Sequence, residues 1–395
     1  MNAPGGVRLR AVSALRSRPF AWLWSGQTIS ALGDGAYTPA LAWQVLLLTH
    51  SSVAMAAIVT ATVVPRLIFL LIGGLVADRL PRRLVLFASD AGRAFVVGGI
   101  AVLGWTQSLM LWHLIALGVV FGVVGAFFLP AYRAMPPQLV AKETLSSANA
   151  LTEMSGQLGQ LLGPLLGAAL VALTGPASAF GFDGLSFAIS ALSLLAIRQP
   201  TQPLPQLVRA TAGAQRGSRG TAGAKESDAT AGRPGGIRQA GRELREAAGF
   251  ITRSTWLLST IVVPAFGNAA FGGAMIIALP RLIHDSYGAS VWLLGAVVTC
   301  VALGRISAVL LVAQLHLRRR GMLAFGADVM ASLALLAFSV PLPPDLRPAV
   351  ALVAGGLFGL GGGTFQTIWV TLLHELVPNA ILGRVASIDL LGSFC

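Results

Sequence analysis

Among the ionisable residues that stand inside long apolar stretches of this chain are Asp34, Arg66 and Arg305. A charge held away from water is costly unless it is paired or faces a wet cavity, so each is a functional candidate. The proton affinity of a carboxyl group follows its burial and the cations beside it. Asp34 therefore has the chemistry of a proton carrier, with Arg66 and Arg305 as candidate counter-charges. A static Asp34–Arg66 pair that only joins two helices is the competing reading. Asp90 and Arg93, three apart, share a helix face and can pair with each other, while Glu153, Asp183 and Asp328 remain unassigned.

The elements that must position these groups follow from composition. Hydrophobic residues make up 55% of the chain and charged residues 11%, and mean hydropathy is +0.76. A soluble domain carries about a quarter charged residues, so most of this chain must face lipid or other helices. A spanning helix needs about 20 apolar residues. Complete runs of that length lie at 20–48, 54–77, 84–106, 109–132, 147–173, 177–197, 256–282, 289–315, 321–340 and 349–377, and another begins near Arg384. At 1.5 Å per residue, Asp34 lies ~21 Å from Phe20, Arg66 ~18 Å from Asp78 and Arg305 ~20 Å from Arg318. All three are thus expected in one layer near the membrane midplane.

The net charge of +13 does not indicate nucleic acid, because the arginines sit in alternate connections between apolar runs. Arg8, Arg10, Arg16 and Arg18 precede the first run. Arg79, Arg82 and Arg83, then Lys142, Arg318 to Arg320 and Arg384 fall in the connections on that same side. The positive-inside rule places the N-terminus in the cytoplasm of a bacterial-type inner membrane. The first run, long and without a cleavage site, reads as an uncleaved anchor. Cys300 and Cys395 form neither a disulfide framework nor a metal cluster.

The sequence repeats itself. Gly74-Leu75-Val76-Ala77-Asp78-Arg79-Leu80-Pro81-Arg82-Arg83 closes the second run, and Leu311-Val312-Ala313-Gln314-Leu315-His316-Leu317-Arg318-Arg319 closes the eighth, 236 positions later. Ala31 to Tyr37 matches Ala265 to Phe271, and Leu86 to Asp90 matches Ala324 to Asp328. Parallel repeats of this kind mark many secondary transporters. The expected organisation is a six-helix half over 1–198, a linker with a short interfacial helix over 199–253, and a second half over 254–395. The register places the partners of helices five and six so that they begin near Arg384 and end about forty residues beyond Cys395, so about two helices are expected to be missing from this chain.

The Gly74–Arg83 loop resembles that between the second and third helices of the major facilitator superfamily, with Pro81 in place of a glycine. Gly159-Gln160-Leu161-Leu162-Gly163-Pro164-Leu165-Leu166-Gly167-Ala168 is similar to the fifth-helix pattern of its drug/proton antiporters. Phe127 to Ala131, Leu145 to Leu151, Asp183 to Phe187 and Leu382 to Ser387 resemble the branch containing the enterobactin exporter and macrolide-efflux proteins. The resemblance implies an all-α membrane protein of two parallel six-helix repeats. It assigns Gly74, Asp78, Arg79, Arg82 and Arg83 to a cytoplasmic gate, with Asp78 docking near Gly383-Arg384. Arg82 and Arg83 equally fit topogenic charges on anionic lipid. Gly159, Gly163, Pro164 and Gly167 would form the antiporter-type motif. The fourth helix departs from the antiporter pattern, its nearest arginine being Arg133 at one end.

The function expected is proton-coupled export of small amphipathic compounds (a drug, antibiotic or siderophore) by alternating access. The partners expected are a small-molecule substrate, protons and membrane lipid, with no nucleic acid, and the protein is expected to be a monomer. An importer or lipid transporter of the same superfamily and a transport-inactive truncated product are the alternatives. No cofactor, catalytic residue or metal site is expected. Neither Lys142 nor Lys225 follows a glycine, so a Walker A loop is missing, and no His-Glu-x-x-His or Gly-x-Ser-x-Gly occurs.

Overall fold

The structure, a computed structural model, describes residues 12–197, 267–268, 270–287, 291–314 and 319–376. Every regular element among the described residues is helical: α1 (Arg18–Thr49), α2 (Ser52–Arg79), α3 (Arg82–Trp105), α4 (Leu111–Ala134), α5 (Leu145–Thr174) and α6 (Pro176–Ala196) form the first half. A seventh helix, α7 (270–286), passes through π-type turns at Ala274–Ala278 and Leu282–Ser286. It is followed by α8 (Val291–Gln314), α9 (Arg320–Ala337) and α10 (Arg347–Leu376). Apart from α7, each helix end that is flanked by described residues falls within three residues of the apolar run expected for it. The expected linker at 199–253, its interfacial helix and the run from Arg384 lie outside the described residues.

Eight of the described helices are long and apolar enough to cross a membrane. α1 is not among them, although it has 32 residues. Its length carries Ser25, Gln27, Thr28, Ser30, Asp34, Tyr37 and Thr38, a density of polar groups that neighbouring helices must satisfy. Local signals set the ends. Proline occupies the first turn of α1 and of α6, where its missing N–H costs nothing. Ser51 caps α2, its hydroxyl accepting from the Ala54 N–H at 3.4 Å. Between α5 and α6 the chain reverses at Gly175, whose φ of 90° suits glycine.

α1 is gripped between α5 and α6, α3 packs on α6 and α4, and α2 packs on α4. In the second half α10 packs on both α8 and α9. Small residues permit these close crossings. Gly118 and Gly122 of α4 face Ile58 and Thr62 of α2; Gly355 and Gly359 of α10, 237 positions later, face Val297 and Val301 of α8. The same crossing therefore recurs in both halves, the three-dimensional counterpart of the sequence repeat. The halves meet where α8 crosses α5: Thr299 donates to the Leu161 carbonyl at 3.2 Å, and Gly295 lies against Pro164 and Ala168. Gly361 and Gly363 of α10 are packing positions too, against α9 and against Arg305 and Ala308 of α8.

Candidate transport site

Asp34 stands in α1 between two glycines that let the helix touch two neighbours at once. Gly33 lies against Asp183 and Ser186 of α6, and Gly35 lies against Gly159 and Gly163 of α5. A Cβ on Gly33 would come 2.5 Å from Asp183 Oδ1, closer than any packing tolerates. Asp34 itself is exposed and within electrostatic reach of Arg93, Asp90 and Arg66. Arg66, directly after the in-helix Pro65 of α2, is thus associated with Asp34. The sequence pointed to that pair but not to Arg93.

Arg305 does not join this group. It is exposed on α8, and among the described residues no carboxylate lies within ion-pair distance of it. The physical reason is the register of α8, which sets the Arg305 backbone against Gly363 of α10. Arg66 is thus the candidate arginine within electrostatic reach of Asp34, while Arg305 stands apart from any carboxylate among the described residues.

Beneath Asp34 lies a polar network sealed from solvent. Arg93 and Asp90, both on α3, form a buried ion pair. Gln27 of α1 donates to Asp90 Oδ2 at 3.0 Å, and Ser190 of α6 donates to the same oxygen at 2.7 Å. Gln27 also donates to Ser190 at 2.8 Å, so three helices meet on one carboxylate. The Arg93 guanidinium lies 4.1 Å from the Phe128 ring centroid and 4.3 Å from that of Phe187, a cation–π sandwich. Rings continue the cluster: Phe187 meets Phe121, and Phe121 stacks on Tyr37 at 5.9 Å. Sequence spacing gives the Asp90–Arg93 pair, whereas Gln27, Ser190 and Phe187 are supplied by other helices. In the second half Asp328 holds the position equivalent to Asp90, but Ala331 stands where Arg93 would recur.

The motif glycines are backbone contacts. Gly159 lies on Ala31, Gly163 on Gly35 and Leu32, and Gly167 on Ala36, while the Pro164 carbonyl faces Gly295 across the halves. A side chain at Gly163 would meet the Gly35 Cα at 2.5 Å, and backbone cannot move aside cheaply. Gly163→Leu is expected to cost about 3 kcal/mol or more and to abolish monodisperse protein in detergent. Gly156→Leu on the same helix, where nothing lies within 4 Å, is expected to be tolerated; equal behaviour of the two in a thermal-shift assay would refute the packing argument.

The gate motif falls at the end of α2 and the start of α3. The side chains of Asp78 and Arg79 and the surroundings of Gly74 lie outside the described residues, as does the segment at Gly383-Arg384. Arg82 donates to the Ala134 carbonyl at 2.8 Å, ending α4. Arg83 donates to the carbonyls of Leu194 and Leu195, each at 2.7 Å, ending α6. Both arginines thus satisfy helix C-terminal carbonyls and favour the negative end of the dipole, contacts that sequence alone did not assign.

At the opposite end of the bundle, α7 meets the α1–α2 turn. Arg281 pairs with Asp285 at 3.1 Å and reaches Ser52 at 3.4 Å. His284 bonds Asp285 at 2.9 Å and packs edge-on against Trp43 at 5.4 Å. Among the described residues no group of three or more His, Cys, Asp or Glu side chains is arranged to hold a metal ion.

Known proteins resemble this chain in sequence and in fold. The enterobactin exporter EntS of Citrobacter koseri is 26% identical over 386 residues, 95% of this chain and 82% of the relative. The enterobactin exporter EntS of Salmonella choleraesuis is 30% identical over 199 residues, 49% of this chain and 48% of that protein. Among solved structures, a bacterial homolog of the human lysosomal transporter Spinster, inward-facing and unoccupied, superposes with a TM-score of 0.67 at 14% identity, covering 96% of this chain and 79% of that one. An inward-facing bacterial homologue of the iron transporter ferroportin gives 0.65 at 18% identity, covering 95% and 88%. With a family model described as Major Facilitator Superfamily matching residues 23–393, and with its crossings repeated in both halves, the chain belongs to that superfamily of transporters.

Proposed function

We propose that this protein is a proton-coupled exporter of small amphipathic molecules, with the siderophore enterobactin as the first substrate to test. The observation that carries the reading is Asp34: an open carboxylate partway along the most polar of the helices, beside Arg66 and Arg93. Such a group binds a proton when one side is open and gives it up when the other opens. The half-buried rings of Tyr37, Phe121 and Phe128 suit an aromatic substrate, and the likeness to enterobactin exporters supports export. Export is favoured over import by the Gly163-Pro164 motif at the junction of α1, α5 and α8.

In this reading the N-terminus is cytoplasmic, 1–198 and 254–395 are the rocking halves, and 199–253 links them. The α7 contacts with Ser52 and Trp43 then form an outer gate. Asp78 with Arg79 and Gly74 forms the inner latch, and Arg305 acts from the second half on the bound substrate. The test is transport in vesicles whose lumen is acidified. Enterobactin is expected to accumulate against its gradient and to stop doing so when a protonophore is added. Accumulation indifferent to the protonophore would overturn coupling, and accumulation only with an alkaline lumen would favour an importer.

A further inference from the structure

We propose that the buried seam between α1 and α6 is a proton relay, and that Asp183 is its interior carrier, exchanging protons with Asp34. The proposal rests on the proton-coupled reading above and assigns it a second carboxyl group and a route away from the open face of α1.

The seam is built from one face of α6. Asp183, Ser186, Ser190 and Ser193 follow at spacings of three, four and three, and all four are buried, with exposures of 0%, 2%, 0% and 7%. α1 opposes them with buried Gln27 and Ser30 and with glycines at Gly26 and Gly33 that admit close approach. The two helices run antiparallel, so Gln27 meets Ser190 at 2.8 Å while Gly33 meets Ser186 and Asp183 about 10 Å further along. Asp34 is the next residue after Gly33. The seam thus reaches from the open carboxylate to the Asp90–Arg93 pair, through hydroxyls that can both donate and accept.

Among the described residues, two buried side-chain atoms are without a hydrogen-bond partner: Asp183 Oδ2 and Arg93 Nε. They carry opposite charge, belong to one electrostatic cluster and are not bonded to each other. A buried polar atom left without a partner is costly, more so when charged, so native proteins rarely keep one without a use. A carrier explains both. A proton arriving on Asp183 Oδ2 gives that oxygen a donor in place of a missing acceptor bond. When the proton leaves, Arg93 is the cation placed to compensate. The groups facing Asp183 are Asp34 and Tyr37 on α1, Arg93 on α3, and Ser186 on its own helix. Each transfer breaks one O–H bond and forms another, with the two aqueous phases as source and sink, and no electrons change hands.

The test compares two activities of Asp183→Asn in reconstituted vesicles, with enterobactin as probe. Accumulation driven by a pH gradient is expected to fall to the level of protein-free vesicles. Counterflow of labelled against unlabelled enterobactin at equal pH, which needs no net proton movement, is expected to continue. Undiminished pH-driven accumulation would overturn the proposal, and so would loss of both activities at normal membrane expression, which marks a structural residue. If the variant does not reach the membrane, the wild-type protein decides. Dicyclohexylcarbodiimide, which modifies protonated carboxyls in apolar surroundings, is expected to label Asp183 more at acid than at alkaline pH by mass spectrometry. No label on Asp183 would overturn the relay. Absence of pH-driven transport in the wild type would instead remove the proton-coupled reading itself.

Discussion

Replacing Asp34 by asparagine is expected to reduce transport driven by a pH gradient to background while leaving the protein folded. The substitution keeps the shape of the side chain and removes the group that gains and loses the proton. Asp34 is exposed and asparagine keeps its size and polarity, so stability should stay within about 1 kcal/mol of the parent. The repeat supports the choice, because Asn268 already occupies the equivalent position in the second half and only one copy can titrate. Membrane expression and transport in vesicles would be measured together. Undiminished coupling would rule out Asp34 as the carrier. Lost expression would instead favour a static Asp34–Arg66 lock, because an unpaired cation would remain in the membrane.

The largest effect on stability is expected at Asp90. In Asp90→Ala the Arg93 guanidinium, in a side chain 7% exposed, loses its counter-ion, and Gln27 and Ser190 lose their shared acceptor. Breaking a buried pair from one side typically costs 3–5 kcal/mol, so thermal unfolding in detergent should shift sharply downward. Removing both charges is a different experiment. The Asp90→Leu, Arg93→Leu double variant is expected to recover most of the loss, since apolar replacements of a buried pair are often neutral or better. A double variant no more stable than Asp90→Ala would show that the network, and not the stranded arginine, sets the cost.

These two residues show how far sequence reasoning reaches. Asp34 was conspicuous because a lone acid in an apolar run has few explanations. Asp90 and Arg93 were legible as a pair because three residues along a helix return to the same face. The seam on α6 was visible in principle: Asp183, Ser186, Ser190 and Ser193 keep helical spacing, yet serines at such spacing are too common to indicate a site without the opposing glycines of α1. Arg305 illustrates the reverse. Helix rise fixed its distance from Arg318 along the axis but said nothing of the direction in which α8 presents it.

The amino-acid sequence by itself determined that the chain is helical, where the described spans begin and end, and that the two halves repeat, because hydrophobic run length, proline and glycine punctuation and motif spacing are local quantities. Tertiary structure decided which charges meet. Arg93 comes within electrostatic reach of Asp34, Gln27 and Ser190 converge on Asp90, and Arg82 and Arg83 cap α4 and α6. Those contacts join residues 52 to 111 positions apart, and they depend on crossing angles set where glycines let backbones touch, which no periodicity along a single helix encodes.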